Sequence, residues 1–444
     1  MPHPVRLLLL VLAAVVPLSA AAQEPLALDQ AVQAALTQNA SLRGARATRD
    51  EADAQAKEAR AGFFPRVTFT ESWQRGDQPV FVFSSLLSAR RFGAEHFAID
   101  ALNHPDPIGF FRGTLGVEQL IFDGGRRRAA TDATALRRDV AGLATDEAAA
   151  GLALAATQTF GRVIAAQAAH RHAEAGIEAA REDLARAERR RDAGMVTDAD
   201  VLGLAVHVAD LQQRAIQAIG DGAIARAELN RLMGVPIDRD YQLVEPTVIE
   251  GVRGAEAQLD ALFAEADAAR PEIRRAAATQ QLADAGRRQA RAALIPQVAA
   301  QAGFDVSGTR INDRASSWLV GGEVRWTFSL GGAELAQTKA AIAAAARARA
   351  EADDARSAVH VEVVSALRRL EAARARQAVG RAAVDQARES QRIIRDRFDA
   401  GIVGVNDVLR ASMAVLDAET QRVSALVDAT DSEAMLRRAL GRTR

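Results

Sequence analysis

The sequence contains an internal duplication, and this feature constrains its fold more than any other. Pro65 and Pro296 are 231 positions apart and end matching Ala-Arg-x-x-x-x-Pro segments. Farther along the chain the offset is 207, as for Gly194 and Gly401. The difference of 24 residues must lie in the loop between the two strands of the first copy. We therefore predict two copies of one unit, each with a helix, two strands, a long helix and a returning helix.

The ends of these elements are marked by proline and glycine. Proline ends a helix, and a Gly-Gly pair permits a sharp turn into the next element. The predicted structural turns lie at Pro65, Pro296, Gly124, Gly125, Gly331 and Gly332.

The first 22 residues are typical of a signal peptide, with Arg6 before an apolar run and small residues at 20–22. A transmembrane anchor is the alternative, although the run is shorter than the ~20 residues that a spanning helix needs. The chain has no cysteine, so we expect no disulfide and no lipid attached at a cysteine. These features predict an exported protein without a helical anchor.

The aromatic residues are few and unevenly distributed. Of the 19 Phe, Trp and Tyr residues, 15 lie in two segments, 63–122 and 304–328. A soluble helical protein would spread its aromatic residues through its core. Aromatic residues concentrated on a few strands indicate a membrane-interface belt.

Four segments have the alternation of a β-strand: 66–74, 114–122, 298–306 and 318–328. The last has one apolar face that includes both of its tryptophans, whereas Glu71 interrupts the apolar face of the first and the pattern of the second is poorer. Apolar-out, polar-in strands of this length are typical of a transmembrane β-barrel. A half-buried strand on a soluble core is the alternative.

The remainder is predicted to be helical. No proline interrupts 126–193 or 333–400, and each such helix would be roughly 100 Å long. Helices of this length indicate coiled-coil packing. The predicted small-residue seam consists of Ala166, Ala173, Ala180 and Ala187 in the first helix and Ala373, Gly380, Ala387 and Ile394 in the second.

These elements give a mainly α fold with a transmembrane β-barrel, in which each chain supplies four strands. The first structural repeat spans 23–233 and contains helix 28–62, loop 75–113, long helix 126–193 and return helix 198–233. A linker covers 234–255. The second repeat spans 256–444 and contains helix 256–294, loop 307–317, long helix 333–400 and return helix 406–441.

No group of residues predicts catalysis. The net charge of −1 gives no indication of a nucleic-acid partner. The 122–125 segment lacks the Gly-Lys-Ser/Thr context of a phosphate loop, and no nucleophile lies beside a base in any recognisable motif. We predict neither an enzyme nor a cofactor or metal site, although His96 and His104, near two aspartates in the long loop, leave a metal site open as an alternative.

The arrangement resembles the TolC family of outer-membrane efflux proteins over the whole mature chain. The residues that carry the resemblance are Ala59-Arg60 followed by Pro65, Phe122-Asp123-Gly124-Gly125, Asp200-Val201-Leu202 and Asp407-Val408-Leu409. The resemblance implies a homotrimer with a β-barrel in outer-membrane lipid and a helical tunnel through the periplasm of a Gram-negative cell. It also implies two partners, a periplasmic adaptor and an inner-membrane transporter.

The resemblance implies functional residues at the hairpin tips. The adaptor-docking tips would be Gly194, Met195, Val196, Thr197, Gly401, Ile402, Val403 and Gly404. The tunnel entrance and its selectivity would involve Asp407, Asp200, Arg410 and Phe398. The two aspartates could instead be ordinary carboxylates in the first turn of a helix, where the helix dipole favours them. Arg410 stands where the family can carry a second aspartate, and Phe398 and Val403 stand where it can carry a tyrosine and an arginine.

Strand number gives an independent indication of the assembly. Four strands cannot close a barrel, and an open strand edge in lipid leaves backbone groups without partners. Three copies would supply twelve strands, enough for a channel. Two other classes remain, a periplasmic coiled-coil adaptor and an exported enzyme on a helical scaffold. Drug, metal-ion and protein export share the predicted body, so the exported substrate stays open.

Overall fold

The computed structural model describes residues 25–245, 259–310 and 312–442. The predicted signal peptide lies outside these residues, as does the second part of the predicted linker. The helices are α1 (Leu28–Gln38), α2 (Ala40–Ala61), α3 (Pro79–Ser88), α4 (Ile99–Asn103), α5 (Arg126–Asp192), α6 (Asp198–Met233), α7 (Leu259–Ala269), α8 (Pro271–Ala292), α9 (Ala333–Asp399) and α10 (Val405–Ala439). The strands are β1 (Pro25–Leu26), β2 (Arg66–Gly76), β3 (Ile108–Phe122), β4 (Gln242–Leu243), β5 (Gln297–Arg310) and β6 (Asp313–Arg325).

The duplication is visible in the lengths of the helices. In the first copy α1, α2, α5 and α6 have 11, 22, 67 and 36 residues. Their counterparts α7, α8, α9 and α10 have 11, 22, 67 and 35. The fold is mainly α, with two strands in each copy between the shorter helices and the long one. Across 25–245, 259–310 and 312–442, no helix is both long enough and apolar enough to cross a membrane.

The helices predicted over 28–62 and 256–294 are each divided in two. In the second, Pro271 occupies the first position of α8 and holds Arg270 in an extended conformation (φ −65°, ψ 123°), because the residue before a proline avoids the helical region. In the first, Asn39 is also extended (φ −61°, ψ 130°), and its side-chain nitrogen donates to the carbonyl of Leu232 at 2.9 Å. Arg270 likewise donates to the carbonyl of Arg438 at 2.6 Å. The two breaks therefore satisfy carbonyls at the ends of the return helices.

Two glycines complete these junctions. Gly234 and Gly441 follow the return helices with φ of 73° and 74°, a left-handed conformation that glycine adopts without strain. A Cβ at Gly234 would lie 2.5 Å from the carbonyl oxygen of Gln38, and one at Gly441 would lie 2.8 Å from backbone and side-chain atoms of Ala269. Both positions consequently require glycine for a close backbone approach as well as for the turn.

Four strands form one antiparallel sheet in the order β2-β3-β5-β6. The register places Phe69, Leu115, Phe304 and Trp318 in one row across all four strands. The row on the opposite face consists of Thr70, Thr114, Asp305 and Ser317. The predicted alternation thus continues from strand to strand as one apolar face and one polar face, and β2 and β6 are the edges of this sheet.

Both strand–strand connections differ from the predicted loops. The loop predicted over 307–317 is shorter, because β5 continues to Arg310 past an irregularity in register and β6 begins at Asp313. The loop predicted over 75–113 is largely structured: β2 and β3 extend into it, and α3, a 3-10 turn (Ala94–Phe97) and α4 lie between them. Pro79 at the first position of α3 starts that helix, since its fixed φ suits a helix N-terminus.

The contacts divide the chain into two compact units, each of which draws on both copies. The first compact unit comprises the described residues of Met1–Asn39, Leu152–Arg253 and Ala372–Asp431. Within it, the seam residues Ala173 and Ala180 of α5 are buried against Leu211 of α6. Gly380 of α9 is buried as well, and a Cβ there would lie 3.4 Å from the Cα of Arg422 on α10. Small seam residues therefore bring each long helix close to its return helix. The short strand β4, inside the predicted linker, pairs in parallel with β1.

The second compact unit comprises Ala40–Gly151, Ser432–Arg444 and Gly254–Glu371, within their described residues. It contains the four-stranded sheet and an apolar cluster centred on Val363 and Leu440, both almost fully buried. Beside this cluster Arg270 is only 2% exposed and forms ion pairs with Glu272 at 3.0 Å and Glu362 at 2.5 Å. Arg438 pairs with the same two carboxylates, so four charges close one network.

Candidate functional site: the two hairpin tips

Both helical hairpins turn through the same backbone motif. Gly194 and Gly401 are left-handed, with φ of 74° and 77°. At the first tip, the Gly194 amide donates to the Arg191 carbonyl and the Met195 amide donates to the Arg190 carbonyl, both at 2.8 Å. At the second, the corresponding amides of Gly401 and Ile402 donate at 2.9 Å. This is the Schellman arrangement of a helix C-terminus, and it explains why glycine occupies both tips.

The first return helix begins with a capping box. Thr197 is extended (φ −89°, ψ 162°), and its hydroxyl accepts from the Asp200 amide at 3.3 Å. The Asp200 carboxylate accepts from the Thr197 amide at 3.0 Å and from its hydroxyl at 2.7 Å. The Asp200 carboxylate therefore satisfies the Thr197 amide at the start of α6. This is the helix-start role that the sequence analysis set against a role at the tunnel entrance.

The second return helix begins differently. It starts at Val405, which is 3% exposed and packs in the tip core, so Gly404 precedes the helix and Asp407 lies in its first turn. The Asp407 amide donates to the Gly404 carbonyl at 3.1 Å. The Asp407 side chain is 44% exposed, and the nearest Arg410 nitrogen lies 3.9 Å from its carboxylate. Such a loose, exposed pair contributes little to stability, and the Asp407 carboxylate remains available to solvent and ions.

Phe398, which was predicted at the tunnel entrance, lies in the core of the hairpin tips. Its side chain is only 5% exposed and belongs to a buried cluster with Leu204, Val405 and Val408. The guanidinium of Arg190 lies 4.8 Å from the centre of its ring and donates to its carbonyl. A large aromatic residue one helical turn before the tip glycine is thus held by packing in the core of the hairpin, and its role at the entrance stays a prediction.

The tip core brings the ends of α5, α6, α9 and α10 together. Ala187 of α5, Val201 of α6, Phe398 of α9 and Val408 of α10 lie in one cluster. The predicted docking residues project beyond it: Met195 is 67% exposed and Ile402 72% exposed, whereas Val403 is half-buried against the cluster. Each tip thus presents one large apolar side chain to solvent.

Charged residues behind the tips were not identified from the sequence. Asp183 of α5 is buried, with its side chain 6% exposed, and it pairs with Arg395 of α9 at 3.0 Å and with Arg186 of its own helix. Glu419 of α10, 11% exposed, pairs with His172 at 2.7 Å and with Arg388 at 2.6 Å. The signal was present in the sequence, because Asp183 lies between two alanines of the predicted seam, where an acidic residue needs a partner.

Asp431 of α10 is half-buried, and one buried oxygen of its side chain has no hydrogen-bond partner in the described part of the chain. Burial raises the pKa of Asp431 to about 6, and the neighbouring Asp428 contributes in the same direction. Arg162 opposes the shift. Burial also lowers the pKa of His207, whose ring nitrogen lies 3.4 Å from the hydroxyl of Ser412. Asp431 and His207 therefore titrate within the helices of the first compact unit rather than at the tips.

The sequence profile of the outer membrane efflux protein family matches residues 31–235 and 262–442. The fold matches the outer membrane protein VceC of Vibrio cholerae with a TM-score of 0.78 at 19% identity, over 93% of this chain and 96% of that one. It matches the CmeC outer membrane channel of Campylobacter jejuni with a TM-score of 0.79 at 15% identity, over 93% and 85%. For the MtrE outer membrane channel of Neisseria gonorrhoeae the TM-score is 0.73 at 18% identity, over 93% and 88%. Among curated protein sequences, none matches this chain.

Proposed function

The chain belongs to the outer membrane efflux protein family, and from that premise we propose that it is a trimeric channel-tunnel of the outer membrane. It serves as a passive conduit that carries small molecules or other substrates out of a tripartite pump. No catalysis is assigned to it.

The observation that carries the proposal is the register of the sheet. Val67, Phe69, Trp318 and Val320, all on one face, are between 63% and 77% exposed on the single chain. Such a continuous apolar face is costly in water and suits contact with lipid hydrocarbon. The opposite face, with its threonine and aspartate row, suits a water-filled lumen.

The edges of the sheet support a trimer. Strands β2 and β6 end the order β2-β3-β5-β6, so each has backbone groups on one side that need a partner strand in lipid. If β6 of one chain pairs with β2 of the next, three chains close a barrel of twelve strands, which leaves room for a channel.

The tips support docking of a periplasmic adaptor, which would connect the tunnel to an inner-membrane transporter. Met195 and Ile402 offer exposed apolar side chains on rigid turns. Near them Asp407 of three chains would form an acidic ring at the tunnel entrance, partly offset by Arg410. Asp200, engaged in its capping box, is the second candidate for this entrance.

Two measurements on the purified, processed protein test the proposal. The mass of the particle in detergent should equal three chains, and its insertion into planar bilayers should produce discrete conductance steps. A monomer that inserts no pores would overturn the proposal and favour the alternative of a periplasmic coiled-coil adaptor.

A further inference from the structure

The segment enlarged in the first copy is folded, and its contacts reveal which face of the sheet it covers. The inward side of α3 carries Val82, Ser85 and Ala89, which are 5%, 2% and 7% exposed. Its outward side carries Val80, which is 82% exposed. The helix is therefore packed along one side against other residues of the second compact unit.

The sheet residues that α3 contacts all lie on the polar face. The Ser88 hydroxyl accepts from Arg112 at 3.3 Å, and its carbonyl accepts from the Ser307 hydroxyl at 3.4 Å. The ring of Phe81 meets that of Phe110 edge-on, with 6.4 Å between centroids. Arg112 pairs with Ser307 across the strands, and Phe110 lies two residues before Arg112, so these three positions share a face.

Thr114 and Asp305 lie on this same face, because each is two residues along its strand from Arg112 or Ser307. The Thr114 hydroxyl donates to the Asp305 carboxylate at 2.5 Å. The residues between these positions along each strand point to the apolar face; they include Phe111, which lies opposite Trp73. Hence α3 covers the end of the polar face. On the apolar face Phe111 is buried, whereas Trp73 and Phe304 stay 64% and 45% exposed.

A second set of contacts fixes the segment to the β5–β6 hairpin. Arg90, the one non-glycine residue with a left-handed backbone in the described part of the chain (φ 54°), donates to the carbonyl of Ser316 at 3.0 Å. Arg91 pairs with Asp313 at 3.2 Å and donates to the hydroxyl of Thr309 at 2.5 Å. The turn after α3 thus directs two consecutive arginines onto the neighbouring hairpin.

We propose that residues 79–103 form a cap inside the outer mouth of the pore, which an exported substrate must displace as it leaves. The inference rests on the proposed function, because the polar face is the lumen only if the sheet is part of a channel. The ion pair of the cap is exposed on both sides, 47% for Arg91 and 57% for Asp313, so it aligns the cap without holding it tightly. The buried side of α3 provides most of the adhesion.

The absence of cysteine makes the test direct. A Thr70→Cys reporter lies on the polar face, six residues from the end of β2 at Gly76, which is roughly 20 Å below the mouth. Its labelling from outside intact cells by a membrane-impermeant maleimide would be compared in three backgrounds. These are the otherwise native chain, Val82→Asp and the matched control Val80→Asp.

The cap predicts slow labelling in the native background and in Val80→Asp. In Val82→Asp the rate should rise about tenfold or more, because a charge on the buried side of α3 favours the lifted state and labelling follows the open fraction. Replacement of residues 80–103 by a short Gly-Ser link should raise the rate as well and leave the trimer intact, since a surface loop tolerates shortening.

Equal labelling rates in all backgrounds, in protein that still conducts in bilayers, would overturn the cap and leave the channel standing. Loss of the trimer on deletion, together with an unchanged rate in an assembled Val82→Asp protein, would also overturn it. If no variant conducts and no trimer forms, the proposed function fails and the cap fails with it.

Discussion

The ion network at the α7–α8 break offers a quantitative test of how the second copy is held together. Arg270 is 2% exposed and contacts three groups: the carboxylates of Glu272 and Glu362 and the carbonyl of Arg438. Arg270→Met keeps much of the side-chain volume but leaves both carboxylates to Arg438 alone. Removing one member of a buried ion pair costs about 3–5 kcal/mol, and the 36% exposure of Glu362 favours the lower value.

Local opening should report this cost better than global melting, because large proteins often unfold irreversibly. The amide of Leu440 donates to the carbonyl of Leu436 at 3.0 Å in the turn that Arg270 supports. A loss of about 3 kcal/mol would speed its hydrogen exchange about a hundredfold, provided that it exchanges by local opening. Arg376→Met is the matched control, since Arg376 is 61% exposed in its pair with Asp428 and should matter by less than about 1 kcal/mol.

A further variant distinguishes charge from packing. Addition of Glu362→Gln to Arg270→Met removes one of the two carboxylates left to Arg438 and should restore part of the protection. If Arg270→Met alone leaves the Leu440 exchange rate within about threefold of the native rate, the network contributes little and the reasoning from burial is refuted.

Three other perturbations concern the first compact unit. Asp431→Asn should slow hydrogen exchange of the neighbouring α10 amides, relative to the native chain, at pH 8 and change it little at pH 4. The folded pKa of about 6 exceeds the unfolded value of 3.8, so the native protein loses stability as pH rises through that window. An equal gain in protection at both pH values would contradict this. Asp407→Asn should reduce cation selectivity in bilayers and weaken block by multivalent cations. The double variant Asp407→Asn/Arg410→Ala should change the selectivity less, because opposite charges are removed together. Reversal potentials equal to the native ones would place Asp407 away from the lumen. Thr197→Ala should destabilise the start of α6 by about 1 kcal/mol, measured by exchange of the Asp200 amide, whereas unaltered exchange would mean that the capping box is dispensable.

Periodicity and helix breakers predicted much of this fold because they act locally. The seam and the tip glycines follow from side-chain size and backbone φ at single positions, so the roles of Ala180 and Gly401 could be predicted from the sequence alone. The divisions at Asn39 and Arg270 depend on partners 193 and 168 positions away, which no local pattern reveals, although Pro271 marked one of them.

The candidate site was less predictable for the same reason. Burial of Phe398 depends on Arg190 and on residues from three other helices, and nothing adjacent in the chain specifies that packing. The folded segment after β2 was predicted to be a loop, since this ten-residue helix has no charged residue to mark a solvent-facing side. Its partners on β5 are more than two hundred positions away.

The equal lengths of α5 and α9, 67 residues each, restrict how such a chain can change over generations. A single inserted residue rotates everything beyond it by about 100° and would turn the buried alanines of one hairpin toward water. Seven residues restore the phase, so inherited changes of length in these helices should come in heptads and should arise in both copies together. The segment after β2 obeys no such rule. Its length and sequence can therefore diversify while the long helices keep a constant length.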